Sequence, residues 1–446
     1  MRNLMQEDIV TMVQEEDVEF IRLQFTDILG NLKNMAVTAS QLSKMLKNEC
    51  KFDGSEIEGF VGDDEADLYL HPIPGTFETF PWRPQQGKVA RLICDVYQQN
   101  GEPFEGDPRY VLRRAVDHVK EMEYGIEVGP ECEFFLFNTD ENTLPTTKTT
   151  ERAGFFDVGP LDLGENARRD IVLALEDMNF VAESSHHEKS PAQHEISFRY
   201  DEALTTADNI MTFKLAVRTI ARRHGLHATF MPKPLEGVCG SGMRLSMNLT
   251  KNGLNIFRDS QDPTGNYMSK EAYYFLGGLM KHAKGITAVA NPLVNSYKRL
   301  AADQDASPFI SWSKANRTTL FRIPNIRRGE ATRIEMISPD SAANPYLTIA
   351  LCIEAGLDGI RNQIMPPEKM EKNLFELTDA QRTEIGIETL PKTLSEALDE
   401  LEKDEILMNA LGEHVAKQYI AMKRKECEDY AKRVTQWEID NYLYKY

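Results

Sequence analysis

The sequence has no apolar run near the roughly 20 residues that a helical membrane span requires, so a membrane-embedded chain is excluded. Its first residues, MRNLMQEDIV, carry acids where a secretory signal would carry its apolar stretch. Basic charge is also short. Lysine and arginine number 51 against 70 aspartates and glutamates, a formal net charge of −19. A nucleic-acid partner calls for a basic footprint, and this balance excludes one; most of the acids serve solubility. The six cysteines (Cys50, Cys94, Cys132, Cys239, Cys352 and Cys427) include no C-x-x-C pair, which excludes a zinc knuckle or a dithiol redox motif. They are expected to be buried thiols of a reduced compartment, the cytoplasm. There is no Walker-type glycine loop, so a P-loop nucleotide site is excluded too.

What is present is a globular composition, 41% apolar and 27% charged over 446 residues, long enough for two domains. Strand-like runs at Glu19–Phe25 and Lys88–Tyr97 alternate with turn-rich pieces, and the four prolines of HPIPGTFETFPWRP (His71 to Pro84) forbid regular structure throughout that segment. A boundary is expected near Gly101–Pro108, dividing residues 1–104 from 105–446. There Asp107 can cap a helix that opens on Pro108, with Leu112, Ala115, Val116, Val119 and Met122 at helical spacing and Gly125 as its stop. IEVGPECEFFLF (Ile126 to Phe137) alternates as a strand, a second helix is expected from Thr205 to His224, and Leu390 to Tyr446 has helical periodicity. Strands and helices mix without a βαβ rhythm, so the expected class is α+β, an antiparallel sheet with helices.

Glu131 and Glu133 stand two apart in that strand, so both leave the same face, opposite Cys132, Phe134 and Leu136. Adjacent like charges cost stability unless a cation sits between them; a solvated strand face is the alternative. A second cluster, HHEKSPAQHEISF, places Glu188 and Glu195 among His186, His187 and His194, and Glu335 lies in the alternating TRIEMI. Oxygen-rich sets of this kind suit Mg2+ or Mn2+ rather than zinc, and such ions commonly neutralise phosphates. Arg299, Arg317, Arg322, Arg327, Arg328 and Arg333 form a dense basic run suited to a phosphate clamp, with surface ion pairs as the alternative. His71, His118, His224, His282 and His414 are expected to be structural or solvent-facing rather than ligands.

These segments together resemble the type I glutamine synthetases, nearest the alpha subtype, over almost the whole chain. FDGSEIEGF, GPECEFFLF, SSHHEKSPAQHEI, FMPKP, CGSGM, NPLVNSYKRL, NRTTLFRIP and SAANPYL follow in that family's order. The resemblance implies an N-terminal β-grasp domain, a larger catalytic domain and a dodecamer of two hexameric rings with sites shared between neighbours. It implies ATP as substrate and an ATP-dependent ligation of glutamate and ammonia through an acyl phosphate. By position, Glu133, Glu188 and Glu195 match a first metal site, and Glu131 and Glu335 a second. Arg322 and Arg333 match nucleotide-phosphate contacts. Arg299, Arg317 and the Gly240 turn match contacts to the amino acid and the transferred phosphate. Asp53, from the adjacent chain, and Asp305 match the acids of the ammonium site.

The departures from the family gather in the substrate half. Arg244 stands where the family has a histidine ligand of the second metal, and a guanidinium has no lone pair for a cation. Cys239 replaces an asparagine, Ile337 an arginine, Asp305 a glutamate and Glu56 a serine, while Lys189 and Ala192 alter the loop between the two metal-site segments. These changes imply two alternatives to ordinary glutamine synthesis: a ligase for another amine or acid, or a catalytically impaired regulatory paralogue.

Overall fold

The computed structural model describes residues 4–62, 66–84, 86–302, 306–324 and 332–446. Its first sheet is built from six strands: β1 (Val18–Thr26), β2 (Leu32–Thr38), β3 (Cys50–Asp53), β4 (Asp67–Pro72), β5 (Glu78–Thr79) and β6 (Lys88–Tyr97). Their order is β2-β1-β6-β4-β3, with β5 on β6, and β1 runs parallel to β6 while its other neighbour β2 is antiparallel. The aliphatic alternation drives this pairing, since Ile21, Leu23, Leu70, Leu92 and Val96 are all fully buried. The proline-rich segment breaks up as expected, into the end of β4, a 3-10 turn at Pro74–Thr76 and the short β5.

The helix Pro108–Glu121 follows, capped by Asp107, whose carboxylate accepts from Arg109 N and also from Val96 N of β6. One carboxyl group therefore starts the helix and ties it to the first sheet. The expected stop at Gly125 lies too late. The helix ends at Glu121, and Glu123, at φ +61°, makes the left-handed turn, so that Gly125 already opens the next strand.

The second sheet has ten strands: β7 (Gly125–Asn138), β8 (Ala182–His187), β9 (Gln193–Phe198), β10 (Asp201–Glu202), β11 (Leu226–Thr229), β12 (Met243–Lys251), β13 (Leu254–Asn255) and, after β14 (Phe309–Ile310), β15 (Trp312–Ser313), β16 (Phe321–Arg322) and β17 (Ile334–Met336). Its central order is β15-β16-β17-β12-β7-β9-β8, mostly antiparallel, and β14 pairs apart with β18 (Glu388–Thr389). The class is α+β, as expected. One face of β7 enters the core through Cys132, Phe134 and Leu136, against the helix Ala203–Arg223, which starts two residues before its expected position.

Behind lie the helices Lys270–Ala290 and Pro345–Arg361, the most extensively packed pair. They meet at Gly278 and Gly359, where an added Cβ would fall 2.0 Å from Ala355 O and Tyr274 O respectively, so only glycine permits that approach. The C-terminal helices Leu394–Glu402, Glu405–Leu411, Glu413–Ala431 and Gln436–Tyr442 complete the layer. Cys239 and Cys427 are half-buried, against the expectation of six buried thiols, because each lies near a surface or cavity rather than in the packed layers.

Candidate active site

The face of β7 away from the core carries the chemistry. Register places Glu133 of β7 directly opposite Glu195 of β9, and Glu195 in turn opposite His186 of β8. Two carboxylates opposed across neighbouring strands repel, an arrangement that sheets avoid without a cation. Glu188 joins them just beyond β8. His186 bridges the group, with Nδ1 3.4 Å from Glu188 Oε1 and Nε2 3.4 Å from Glu195 Oε1. One ligand atom from each of His186, Glu188 and Glu195 lies within 4.8 Å of the others.

Burial lifts the Glu188 carboxyl to about 7, with the charge of Glu195 adding to it. Burial, then Glu188 and Glu195, pushes Glu133 well above the ordinary carboxylate range. Burial opposes protonation of His186, but its bond to Glu195 overcomes this and raises its pKa. Such acids gain from a divalent cation, and the donor set fits one hard ion.

Other residues hold the cluster in place, and the sequence reading overlooked them. Gly242 N donates to Glu133 Oε2 at 2.6 Å, and Gln193 Nε2 donates to the same oxygen at 3.2 Å and to Gly240 O at 2.9 Å. Ser341 Oγ donates within 2.7 Å of both Glu133 O and Gly242 O. Gln193 could have been found, since it stands two before Glu195 and so shares its face; Ser341 carries no such signal.

Beneath the site, His187 Nδ1 donates to Glu188 O and Nε2 to Glu151 Oε1, both at 2.6 Å. The second oxygen of Glu151 accepts from Leu163 N and Gly164 N, while Arg168 joins Asp162 to His194. These four acids and imidazoles also lie within metal-binding range of one another; Glu151, Asp162 and His187 are satisfied by each other, by Arg168 and by backbone, while His194 bonds Arg168 through Nδ1 and its buried Nε2 has no partner.

The other end of the face is different. Arg244 of β12 is opposite Glu131 of β7, and its Nη1 lies 2.5 Å from Glu131 Oε2. Glu335, on β17, accepts from Arg322 of β16 at 2.7 Å through one oxygen and from Arg333 at 3.0 Å through the other. Arg322 and Arg333, expected on nucleotide phosphates, thus flank a carboxylate.

Arg299 is almost fully buried; its Nη1 donates to Ser338 O at 2.8 Å and Nη2 reaches Ile337 O at 3.5 Å. Its bonds here go to carbonyls, and its charge is felt by the nearby Glu133 and Asp340; a guanidinium held in this way can still take an incoming anion. Gly240 approaches closely: a Cβ there would lie 2.1 Å from Pro232 O.

One cavity gathers Glu131, Glu133, Glu188, Glu195, Gly240, Arg299, Arg317 and Arg322, with Cys239, Arg244 and Ile337 also on its wall. Asp53 is not among its lining residues. It lies at the exposed end of β3, where Ser55 donates to it through N and Oγ and depresses its pKa. Asp305, Arg327 and Arg328 lie outside the described residues. Among the described residues no helix is long and apolar enough to cross a membrane.

Residues 105–442 match the family profile described as glutamine synthetase, catalytic domain, and residues 17–99 match glutamine synthetase, beta-Grasp domain. The chain belongs to the glutamine synthetase family. The first sheet is accordingly the β-grasp unit that the resemblance implied. A protein named glutamine synthetase from Clostridium saccharobutylicum is 56% identical over 440 residues, 99% of each chain. One of that name from Staphylococcus aureus strain Mu50 is 51% identical over 446 residues, 100% of this chain and 99% of the relative. Among solved structures, a complex of GmaS with ADP superposes with a TM-score of 0.89 at 33% identity, covering 98% of this chain and 99% of the other. A cryo-EM structure of Plasmodium falciparum glutamine synthetase gives 0.88 at 26% identity, covering 99% of both.

Proposed function

We propose that this member of the glutamine synthetase family is an ATP-dependent ligase that joins glutamate and ammonia into glutamine. The observation that carries the reading is the Glu133–Glu195 opposition, completed by Glu188 and facing the buried cation of Arg299 across one cavity. A carboxylate is a poor electrophile. Its oxygen attacks the γ-phosphorus of ATP, the bond to ADP breaks, and an acyl phosphate forms. Ammonia then attacks the acyl carbon and phosphate leaves.

Glu133, Glu188 and Glu195 would hold Mg2+ or Mn2+, which supplies charge neutralisation for the phosphates. Arg299 and Arg317 would orient the amino acid and the transferred phosphate, with the Gly240 turn allowing close approach. Arg322 and Arg333, still paired with Glu335, would reach the nucleotide with the nitrogens that Glu335 does not hold. The solved ADP complex of GmaS accords with a nucleotide in such a fold. Asp53, exposed on β3, would complete the ammonium site of a neighbouring subunit together with Asp305, binding the cation and taking its proton. That sharing requires the ring assembly, a dodecamer of two hexamers, working in the cytoplasm. The functional division would fall at 104/105.

Phosphate release that requires glutamate, ammonium and Mg2+ together, and that Glu188→Ala abolishes, is the expected result. Release independent of glutamate would refute the reading. A second reading, another amine or acid as substrate, is favoured by the neutral Cys239 and Ile337 on the cavity wall. A panel of amines and acids in the same assay decides between them.

A further inference from the structure

The charged face of the second sheet is divided in two by how its acids are balanced. On β7 and β9, Glu133 opposes Glu195, with Glu188 alongside and one imidazole, His186, between the last two. That half gathers three acids around one imidazole, with the charges of Arg299 and Lys189 acting on Glu133 and Glu188 from outside the trio. Where β7 meets β12, and on β17 beside β16, the acids Glu131 and Glu335 each already have a guanidinium. Arg244 lies opposite Glu131 at 2.5 Å, and Glu335 has one oxygen on Arg322 and the other on Arg333. The charge of Arg244 is secured there: burial disfavours it, but Glu131, then Glu335, Glu195 and Glu133, overcome this and raise its pKa.

The family resemblance implies a second metal ion held by Glu131, Glu335 and a histidine at position 244. The residues present do not fit it. A guanidinium offers no lone pair, and an ion between Glu131 and Glu335 would have to break two kinds of ion pair and sit beside the Arg244 charge it displaced. We infer that this chain binds a single divalent ion on its carboxylate floor, at Glu133, Glu188 and Glu195, and that Arg244 provides the second positive charge as a permanent part of the protein. The inference rests on the metal site proposed above. It follows that the positive charge at the Glu131 end does not depend on the concentration of free metal.

Counting Mn2+ on the full-length protein without nucleotide tests this, by equilibrium dialysis and electron paramagnetic resonance. The wild type is expected to bind one ion per chain in this site, with the six-line spectrum of an isolated Mn2+. Glu188→Gln should lose that ion, and Glu131→Gln should keep it. Arg244→His should gain a second, with line broadening from coupling between two nearby ions. Two ions of comparable affinity in the wild type, or loss of the ion in Glu131→Gln but not in Glu188→Gln, would overturn the inference alone. No bound ion in the wild type would instead overturn the metal reading on which it rests. Should Arg244→His fail to fold, the wild-type count and the two glutamine variants still decide.

Discussion

Arg109 grips Asp208 through two parallel bonds, Nε to Oδ1 at 2.9 Å and Nη2 to Oδ2 at 3.0 Å. Its remaining nitrogen, Nη1, donates to Asp95 of β6 at 2.6 Å, and Tyr346 donates its hydroxyl to Asp208 at 2.8 Å. A single buried guanidinium thus fastens the β-grasp sheet to two helices of the catalytic part. Arg109→Met would leave buried Asp208 with only the Tyr346 hydroxyl and Asp95 with only Arg113. The expected loss is about 3–5 kcal/mol, the usual cost of breaking a buried pair from one side. Denaturant unfolding measures it, and a loss below about 1 kcal/mol would mean that the network merely fills space.

Metal affinity is expected to rise with pH through neutrality. Burial and Glu195 hold Glu188 protonated up to about 7, and burial, Glu188 and Glu195 raise Glu133 well above its ordinary value. Below that pH an arriving ion must displace protons, at up to about tenfold in affinity per unit for each proton released. The stability of the metal-free fold follows from the same shift. The folded state binds a proton at Glu188 that the unfolded state, with its ordinary value of about 4.3, has already lost. This contribution is therefore present below about 4.3 and is lost as pH rises to about 7. Mn2+ titrations at pH 6, 7 and 8 check the prediction; equal affinities at all three would contradict it.

Much of this architecture was legible from local pattern. The cap at Asp107, the strand Lys88–Tyr97 and the shared face of Glu131 and Glu133 are short-range consequences of backbone geometry, and the structure has them in place. What local pattern could not supply is register. That Glu133 opposes Glu195 while Glu131 opposes Arg244 depends on how β9 and β12 slide against β7, and one residue of slip would reverse every side chain. The Glu151–His187 contact spans 36 residues and leaves no periodic trace. The turn at Glu123 was missed because a glycine nearby offered a cheaper left-handed position.

Gly242 should be intolerant of a side chain for a reason that reports on substrate binding. A Cβ there would fall 2.4 Å from Arg299 Nη2 and 3.6 Å from Glu133 Oε2. Gly242→Ala is expected to push the guanidinium aside, with a stability cost of about 1–3 kcal/mol typical of overpacking. If Arg299 contacts the amino acid, its KM should rise by about one to two powers of ten, the worth of a charge-assisted bond. An unchanged KM in a folded variant would remove Arg299 from the substrate site.

The sharing of sites between subunits can be tested by complementation. Asp53 is exposed and lies off the cavity wall of its own chain, whereas Glu188 lies on it. Asp53→Ala and Glu188→Ala should each inactivate a homogeneous ring, the first by removing the group that deprotonates ammonium and the second by removing a metal ligand. In a directional ring each site draws Asp53 from one chain and Glu188 from the next. After the two inactive proteins are dissociated and reassembled as an equal mixture, a site is intact only where a Glu188→Ala chain lends Asp53 to an Asp53→Ala chain. Random assembly makes that arrangement at about one interface in four, so about a quarter of wild-type turnover should return. Mixing without dissociation serves as the control and should return none. If reassembled mixtures of confirmed ring mass stay inactive while reassembled wild type recovers, Asp53 does not act across the interface, and the proton acceptor must come from the same chain as the metal ligands.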